Sequence, residues 1–411
     1  MLDISDLHMA ILKFGIFSDS YPPIMDGVAL TVRNYGYWLN KSNFRPYIIT
    51  PEYPGYSDTD DFPVLRYHSV PILMRKPYRL GLPKIDHNFN QELKGIPFSL
   101  VHAHSPFSAG LLALRIARQN NIPMVATFHS KYRDDFSRFF NQKEILNQIV
   151  KRIISFYNAA DEVWIPQPSV EDTIREYGYR GKVEVVENGV DFNVDGNIES
   201  LRTESRSMLK IPQNRKVFLY VGQMVLEKNL KFLVESLKYI KVADFTVYFV
   251  GEGYAKAQLE NLVREYGLES KVKFTGIIHD REVLKRYYAA ADLFLFPSMY
   301  DNAPLVILEA SAFHTPALLL RGSTISTLIQ DGLNGFLSDN DPKLYGDKIN
   351  QLISDSDLLI KAGDNAAATI GHSWEDSVRE VADRYTHLLS RKQNLPRTRI
   401  STERIKNPAD H

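Results

Sequence analysis

No cysteine occurs in the 411 residues. Disulfides and thiolate metal ligands are thereby excluded, which suits a cytoplasmic setting without requiring one. Net charge is missing too: 49 Lys/Arg balance 49 Asp/Glu, so whole-chain attraction to nucleic acid is not expected. No apolar run reaches the roughly 18 residues that a membrane span needs. The opening "MLDISDLHMA" carries acids and no basic stretch. It is therefore not read as a secretory signal, and the first strand-like run starts only at Ile11.

What is present is ordinary in bulk and uneven in detail. The chain is 44% hydrophobic and 24% charged, as expected of a globular protein of two or three domains. Residues 71–152, however, hold thirteen Lys/Arg against five Asp/Glu, a net of +8. Such a segment is either a solvated face balanced elsewhere or a surface turned toward an anionic lipid or acceptor.

Short β-branched or aromatic runs alternate with longer amphipathic ones. Seven strands are expected at 11–17, 45–50, 64–69, 99–105, 124–130, 162–167 and 183–189. A polar passage at about 191–214 shows no strong period. Six more strands are expected at 216–223, 245–253, 272–276, 293–298, 317–322 and 335–339. This alternation predicts an α/β protein with two facing, Rossmann-like, doubly wound parallel sheets rather than one sheet of thirteen strands. Ligands in such sheets bind beyond the carboxyl ends of the strands, so two facing domains make one cleft. The stretch "SWEDSVREVADRYTHLLSRK" reads as a final amphipathic helix, capped by Ser373 with Asp376 at its third position, followed by an aperiodic polar tail.

Several strand ends could carry chemistry. Gly27 stands where a loop should enter a helix, and Gly251 and Gly253 do the same in "FVGEG". Each could admit an anion to backbone N–H groups or simply form a turn. "FVGEG" lacks the third glycine of a dinucleotide fingerprint. His129 ends an apolar strand; His102 and His104 are expected on opposite faces of theirs. These three histidines offer no helical i,i+4 pair and no obvious carboxylate partner, so no metal site is expected. Lys228 and Asn229 precede a helix, where the lysine could neutralise a phosphate. In "PSMYDNAPLVILEA", Asn302 or Ala303 would cap a helix with Pro304 in its first turn. The free amides of Leu305 and Val306 then favour an anion, while Asp301 and Glu309 could accept from hydroxyls or merely complement the helix dipole.

Taken in order, "GIFSDSYPPIMDGVALTV", "VHAHSPFSAGLLALRIARQNNIPMVATFHSKY", "VVENGVD", "YVGQMVLEKN", "FVGEG", "AADLFLFPSMYDNAPLVILEA" and "DGLNGFL" resemble the retaining glycosyltransferases of family 4, over nearly everything from Ile11 to about Arg391. The stretch "HSPF…ATFHSKYRDDF" is similar to bacterial lipid and envelope glycosyltransferases, including those that glucosylate diacylglycerol. The resemblance implies the GT-B architecture. It divides the chain into an acceptor-side domain (1–195), a nucleotide-sugar-binding domain (196–372) and a helix crossing back (373–391); the tail (392–411) is expected to be disordered from its polar, aperiodic composition. The resemblance also implies residue roles. Gly27 opens the loop over the diphosphate, His129 contacts the transferred sugar, Lys228 binds phosphate, Asp301 holds sugar hydroxyls and Glu309 the ribose. Gly251 and Gly253 line the base and ribose side, and Gln223, Ala303, Leu305 and Val306 complete the donor set.

The implied activity is metal-independent hexosyl transfer from a UDP-glucose-like donor to a lipid or envelope glycan. No cofactor is required, and no Asp-X-Asp metal motif sits in a suitable loop. A cytoplasmic location, peripheral on the inner membrane face through the basic 71–152 region, is expected. Four positions depart from the family pattern. Gln223 stands for a usual Arg, Asp301 for Glu, Thr327 for Glu and Pro304 for Gly. A fifth, His314, replaces a helix-ending glycine and should adopt left-handed geometry with no chemical role. Gln223 and Thr327 motivate the alternative, a donor-binding GT-B protein with little or no turnover acting as a partner subunit.

Overall fold

The computed structural model describes residues 11–137, 139–192, 197–299 and 301–394. The strands are β1 (Lys13–Phe17), β2 (Arg45–Pro51), β3 (Val64–Tyr67), β4 (Ser69–Pro71), β5 (Arg79–Gly81), β6 (Leu100–Ala103), β7 (Met124–Thr127), β8 (Glu162–Ile165), β9 (Val183–Val185), β10 (Lys216–Val221), β11 (Phe245–Val250), β12 (Val272–Gly276), β13 (Leu293–Phe296), β14 (Ala317–Leu320) and β15 (Phe336–Ser338). A seven-stranded sheet has the order β3-β2-β1-β6-β7-β8-β9 and a six-stranded sheet the order β12-β11-β10-β13-β14-β15. Every pairing within the two sheets is parallel.

The sheets are parallel because their strands are apolar on both faces. β11 (FTVYFV) and β14 (ALLL) are buried at every position, so each needs helices above and below. Strand order reverses between β1 and β6 in the first sheet and between β10 and β13 in the second. Those switch points open crevices at the carboxyl ends of the strands.

The last helix, Trp374–Asn394, returns to the first half. Its Trp374, Val378, Val381 and Tyr385 share a buried cluster with Phe14, Ile16, Val32 and Tyr35. Leu305, from the second half, sits in the same cluster. The two chain crossings run side by side, with Val190 N–H donating to His372 O at 2.9 Å and Trp374 N–H to Val190 O at 3.3 Å. Ser373 Oγ accepts from the Asp376 amide at 3.1 Å, as the capping pattern predicts.

Several expectations need correction. The polar passage contains a helix, Ile198–Met208, started by Asn197, whose side chain accepts from the Glu199 and Ser200 amides. Its fully buried residues are Ser205 and Arg206, and the apolar residues it packs against the core, Ile198 and Leu201, are only partly buried. Arg206 and Arg202 both pair with Asp292 at 2.9 Å, which is why no hydrophobic period shows. The antiparallel pair β4–β5 was also hidden, because three-residue strands carry no period. The final helix runs to Asn394, three residues into the stretch read as tail; the rest of that tail, and the boundary at 195/196, lie outside the described residues. In the basic 71–152 region, where exposed aromatics at Phe136, Phe139 and Phe140 would suit a membrane surface, only Phe140 of the three is exposed; Phe136 packs against Phe107. His314 takes φ 54° as expected, and its Nδ1 lies 2.7 Å from Asp364.

Candidate active site

In the second half the switch point is flanked by the segments after β10 and β13. After β10 a 3-10 turn, Leu226–Lys228, delivers Lys228, and Asn229 in left-handed geometry (φ 58°) starts the helix Leu230–Ser236. Asn229 Nδ2 donates to Pro297 O at 3.3 Å, tying the two segments together. The Lys228 amine meets the Asp301 carboxylate, both side chains largely buried. Asp301 Oδ2 is buried without a hydrogen-bond partner.

The helix after β13 is Leu305–Ala312, and its flanking residue is Pro304, with no side-chain cap. The expected cap at Asn302 or Ala303 is therefore wrong. Pro304 holds an extended backbone (φ −73°, ψ 118°), so the helix begins one residue later. Asn302 turns away instead, donating from Nδ2 to His129 O at 3.1 Å. The Leu305 and Val306 amides precede the first intrahelical bond and lie at the positive end of the helix dipole.

Glu309 lies one turn inside that helix and is buried. Arg281 donates to its Oε1 at 2.8 Å and the Tyr288 hydroxyl to its Oε2 at 2.6 Å. Arg281 also reaches Asp191 at 3.3 Å and stacks over Phe192 at 4.2 Å. Burial pushes the Asp191 carboxyl up, against the opposing pull of Arg281. Arg281 and Tyr288 were not singled out in the sequence; the acid that opens "DREVLKRYY" gave no sign of them.

Gly251 and Gly253 are explained by packing. A Cβ on Gly251 (φ 135°) would lie 2.0 Å from Gly222 O, and one on Gly253 2.3 Å from Met224 O. They let the segment after β11 lie directly on the one after β10. Gly27 opens the helix Gly27–Lys41 behind Asp26, whose side chain caps it, and nothing lies within 4 Å of a Cβ there. Gln223 and Thr327 are exposed.

In the first half, the switch-point crevice is lined by histidines. His104 Nδ1 and His129 Nε2 are 3.0 Å apart, and the rings stack at 5.2 Å. His102 lies on the same side, 4.1 Å from His104, which corrects the expectation of opposite faces: a two-residue step along a strand returns to one face. His102 bonds Tyr385 Oη at 2.6 Å and Thr127 Oγ1 at 2.7 Å. Another residue missed in the sequence is Asp19, after β1. It accepts from Ser105 Oγ at 2.5 Å and from the Ala109 amide at 3.2 Å, and burial raises its carboxyl.

Burial pulls His129 down to about 4 and holds His102 and His104 well below the usual imidazole range. All three are neutral near pH 7. In the unfolded chain they take up protons near pH 6.5, so acidification favours unfolding until the folded values are reached. From His129 alone, about 2 kcal/mol should be lost between pH 7.5 and 5.0. Urea midpoints at the two pH values measure this; equal midpoints would contradict neutral burial.

The two halves touch across the cleft. Besides the bond from Asn302 to His129 O, Gln167 Nε2 donates to Asn302 O and Lys131 Nζ to Thr324 Oγ1 at 2.7 Å. A cavity of about 90 Å³ lies between the halves, lined by Gln167, Asn188, Ala303, Leu308 and His372 among others. The structure thus brings Lys228, Asp301, the amides of Leu305 and Val306, and the His129 segment to one cleft. Glu309 is set on the flank of that site and Gln223 at the surface.

Comparison with known proteins gives two family matches, one on each half. Residues 25–194 match the model described as Glycosyltransferase Family 4, and residues 202–369 match Glycosyl transferases group 1. The chain is 28% identical over 357 residues to an alpha-monoglucosyldiacylglycerol synthase of Streptococcus pneumoniae, covering 84% of this chain and 80% of that one. A synthase of the same name from Acholeplasma laidlawii is 24% identical, covering 81% and 86%. Among solved structures, sucrose-phosphate synthase from Thermosynechococcus elongatus superposes with a TM-score of 0.76 at 19% identity, covering 92% of this chain and 100% of that one. Anabaena HepE in complex with UDP-glucose superposes with a TM-score of 0.73 at 17% identity, with the same coverage. With a glycosyltransferase model on each half and two facing parallel-sheet units between them, the chain belongs to glycosyltransferase family 4 and has the GT-B fold.

Proposed function

We propose that the chain transfers a hexose from a UDP-glucose-like donor to a lipid or cell-envelope glycan, with retention of the anomeric configuration and without a metal. One observation carries this reading: Lys228, Asp301 and the open amide end of the helix Leu305–Ala312 converge opposite His129. A diphosphate fits the amides and Lys228, where helix dipole and cation stabilise charge that grows as the sugar leaves. Asp301, released from Lys228 by the diphosphate, then accepts from sugar hydroxyls through the oxygen that now has no partner. Glu309 accepts from the ribose, oriented by Arg281 and Tyr288. Gly27, with open space on its Cβ side, lets the opposite loop approach the diphosphate. Neutral His129 exchanges hydrogen bonds with the sugar rather than adding charge.

The names of the two diacylglycerol-glucosylating relatives support a lipid acceptor, and the HepE complex supports UDP-glucose. A membrane-facing surface suits the same reading. Leu73, Ile85 and Leu80 are 78%, 63% and 50% exposed beside the exposed Lys76 and Lys84, a mixture that binds anionic interfaces. No helix among the described residues is long and apolar enough to cross a membrane.

Thermal-shift measurements with UDP-, GDP- and ADP-sugars test the donor. A rise in melting temperature with UDP-glucose and none with GDP-sugars is the expected outcome; a GDP-selective shift would overturn it. The partner-subunit reading is favoured by one fact, that Lys228 and Asp301 neutralise each other while Gln223 adds no charge.

A further inference from the structure

Lys131 lies two residues beyond His129, on the first half's side of the cleft. Its amine donates to Thr324 Oγ1 on the other side at 2.7 Å. Thr324 opens the 3-10 turn Thr324–Leu328, which follows β14. Among the described residues no carboxylate lies within 4.0 Å of that amine. The neighbouring cations differ: Lys228 is held by Asp301, and Arg281 is shared between Glu309 and Asp191. The first pair sums to no charge and the second group to a net negative one. Of these three cations among the described residues, Lys131 is therefore the one that a polyanion entering the cleft finds not already neutralised.

A half-buried amine without a counter-ion is costly unless something anionic meets it. The segment 129–131 is already docked on the second half at both ends, by His129 O on Asn302 and by Lys131 on Thr324. That docking brings the amine against the loops at the carboxyl ends of the second sheet, where the helix Leu305–Ala312 offers its amides.

We infer that Lys131 is a phosphate-contacting residue, reaching the diphosphate of the nucleotide donor from the opposite half of the chain. Thr324 holds the amine in place until phosphate oxygens take over. The departing diphosphate is then gripped by cations from both halves, Lys228 on one side and Lys131 on the other. The inference rests on the donor reading above, and the experiment separates the two.

Calorimetric titration of the full chain with UDP and with uridine is the test, on wild type, Lys131→Met, Lys131→Arg and Thr324→Val. A charge-assisted phosphate contact predicts that Lys131→Met weakens UDP about 10-fold or more and uridine less than about twofold. Lys131→Arg should return UDP affinity to within about threefold of wild type, since it keeps the cation. Thr324→Val removes the tether and keeps the charge, so UDP affinity should stay within about twofold. Lys131→Met binding UDP as wild type does overturns the inference. So does a loss in Thr324→Val equal to that in Lys131→Met, because the amine is then only a tether. A third overturning result is a loss confined to flotation on phosphatidylglycerol vesicles, with UDP binding unchanged, which assigns the phosphate to lipid. Wild type that binds no UDP overturns the donor reading and this inference with it.

Discussion

Lys228→Ala is expected to lower sugar transfer by roughly 10²–10³-fold, the effect of removing one well-placed group that stabilises about 3–4 kcal/mol of developing charge. The structure gives two reasons for an effect of that size. In the proposed site Lys228 is the second half's cation for the diphosphate, and its removal leaves that half with only the helix dipole at Leu305 and Val306 to stabilise the leaving group. Removal also strands Asp301, whose Oδ2 already lacks a partner. An unpaired carboxylate at that point repels the very anion the site must hold. A lower melting temperature is also expected, because the largely buried Asp301 carboxylate loses its counter-ion, so turnover is compared at a temperature where the variant remains folded. Lys228→Arg should keep part of the rate, because it restores charge with altered reach. UDP release from UDP-glucose is the readout, and near-normal release from Lys228→Ala would remove this residue from the site.

Glu309→Gln is expected to weaken UDP binding by about 10–100-fold, the range for a lost hydrogen bond to a charged group. The amide keeps the shape and can still accept from Tyr288 Oη, so the buried tyrosine stays satisfied. What changes is the second contact: an amide N–H would face Arg281, where a carboxylate oxygen now accepts at 2.8 Å. Arg281 retains Asp191. The ribose role makes a sharper demand. The difference between wild type and Glu309→Gln should nearly vanish when the ligand is 2′,3′-dideoxyuridine diphosphate, which has no hydroxyls to donate. Equal UDP affinity in the two proteins would mean that Glu309 serves only to tie Arg281 to Tyr288.

The fold was legible because its strands are buried on both faces. Runs such as "FTVYFV" and "ALLL" need no partner to be recognised, and the thirteen runs divide into sheets of seven and six. What stayed hidden lacked that signal. The helix Ile198–Met208 docks by a buried arginine on Asp292 beside two partly buried apolar residues, Ile198 and Leu201, which is too little to show as a period. The hairpin β4–β5 is too short for alternation to show.

The candidate site divides in the same way. Its positions could be read, since His129, Lys228 and Asp301 follow strands and the strand ends frame the cleft. Its partners could not, because they come from other elements: Arg281 and Tyr288 reach Glu309 from a preceding helix, and Asn302 reaches His129 from the other half. The cap of the helix Leu305–Ala312 was misassigned for a related reason. Asn302 has the right chemistry to cap, but its Nδ2 donates to a backbone carbonyl 173 positions away in sequence, which holds the side chain with its Oδ1, the atom a cap would use, buried and unpartnered.

The most direct test is acceptor-dependent UDP release. The purified chain is incubated with UDP-glucose and phosphatidylglycerol vesicles with or without dioleoylglycerol, and UDP and glucolipid are both quantified. A transferase acting at this cleft should release UDP in step with formation of one glucolipid per UDP, only when dioleoylglycerol is present, and the product should carry the α-anomeric configuration of the donor. Tight UDP-glucose binding with no UDP released over hours, across lipid and glycan acceptors alike, would contradict it and leave a donor-binding protein without turnover.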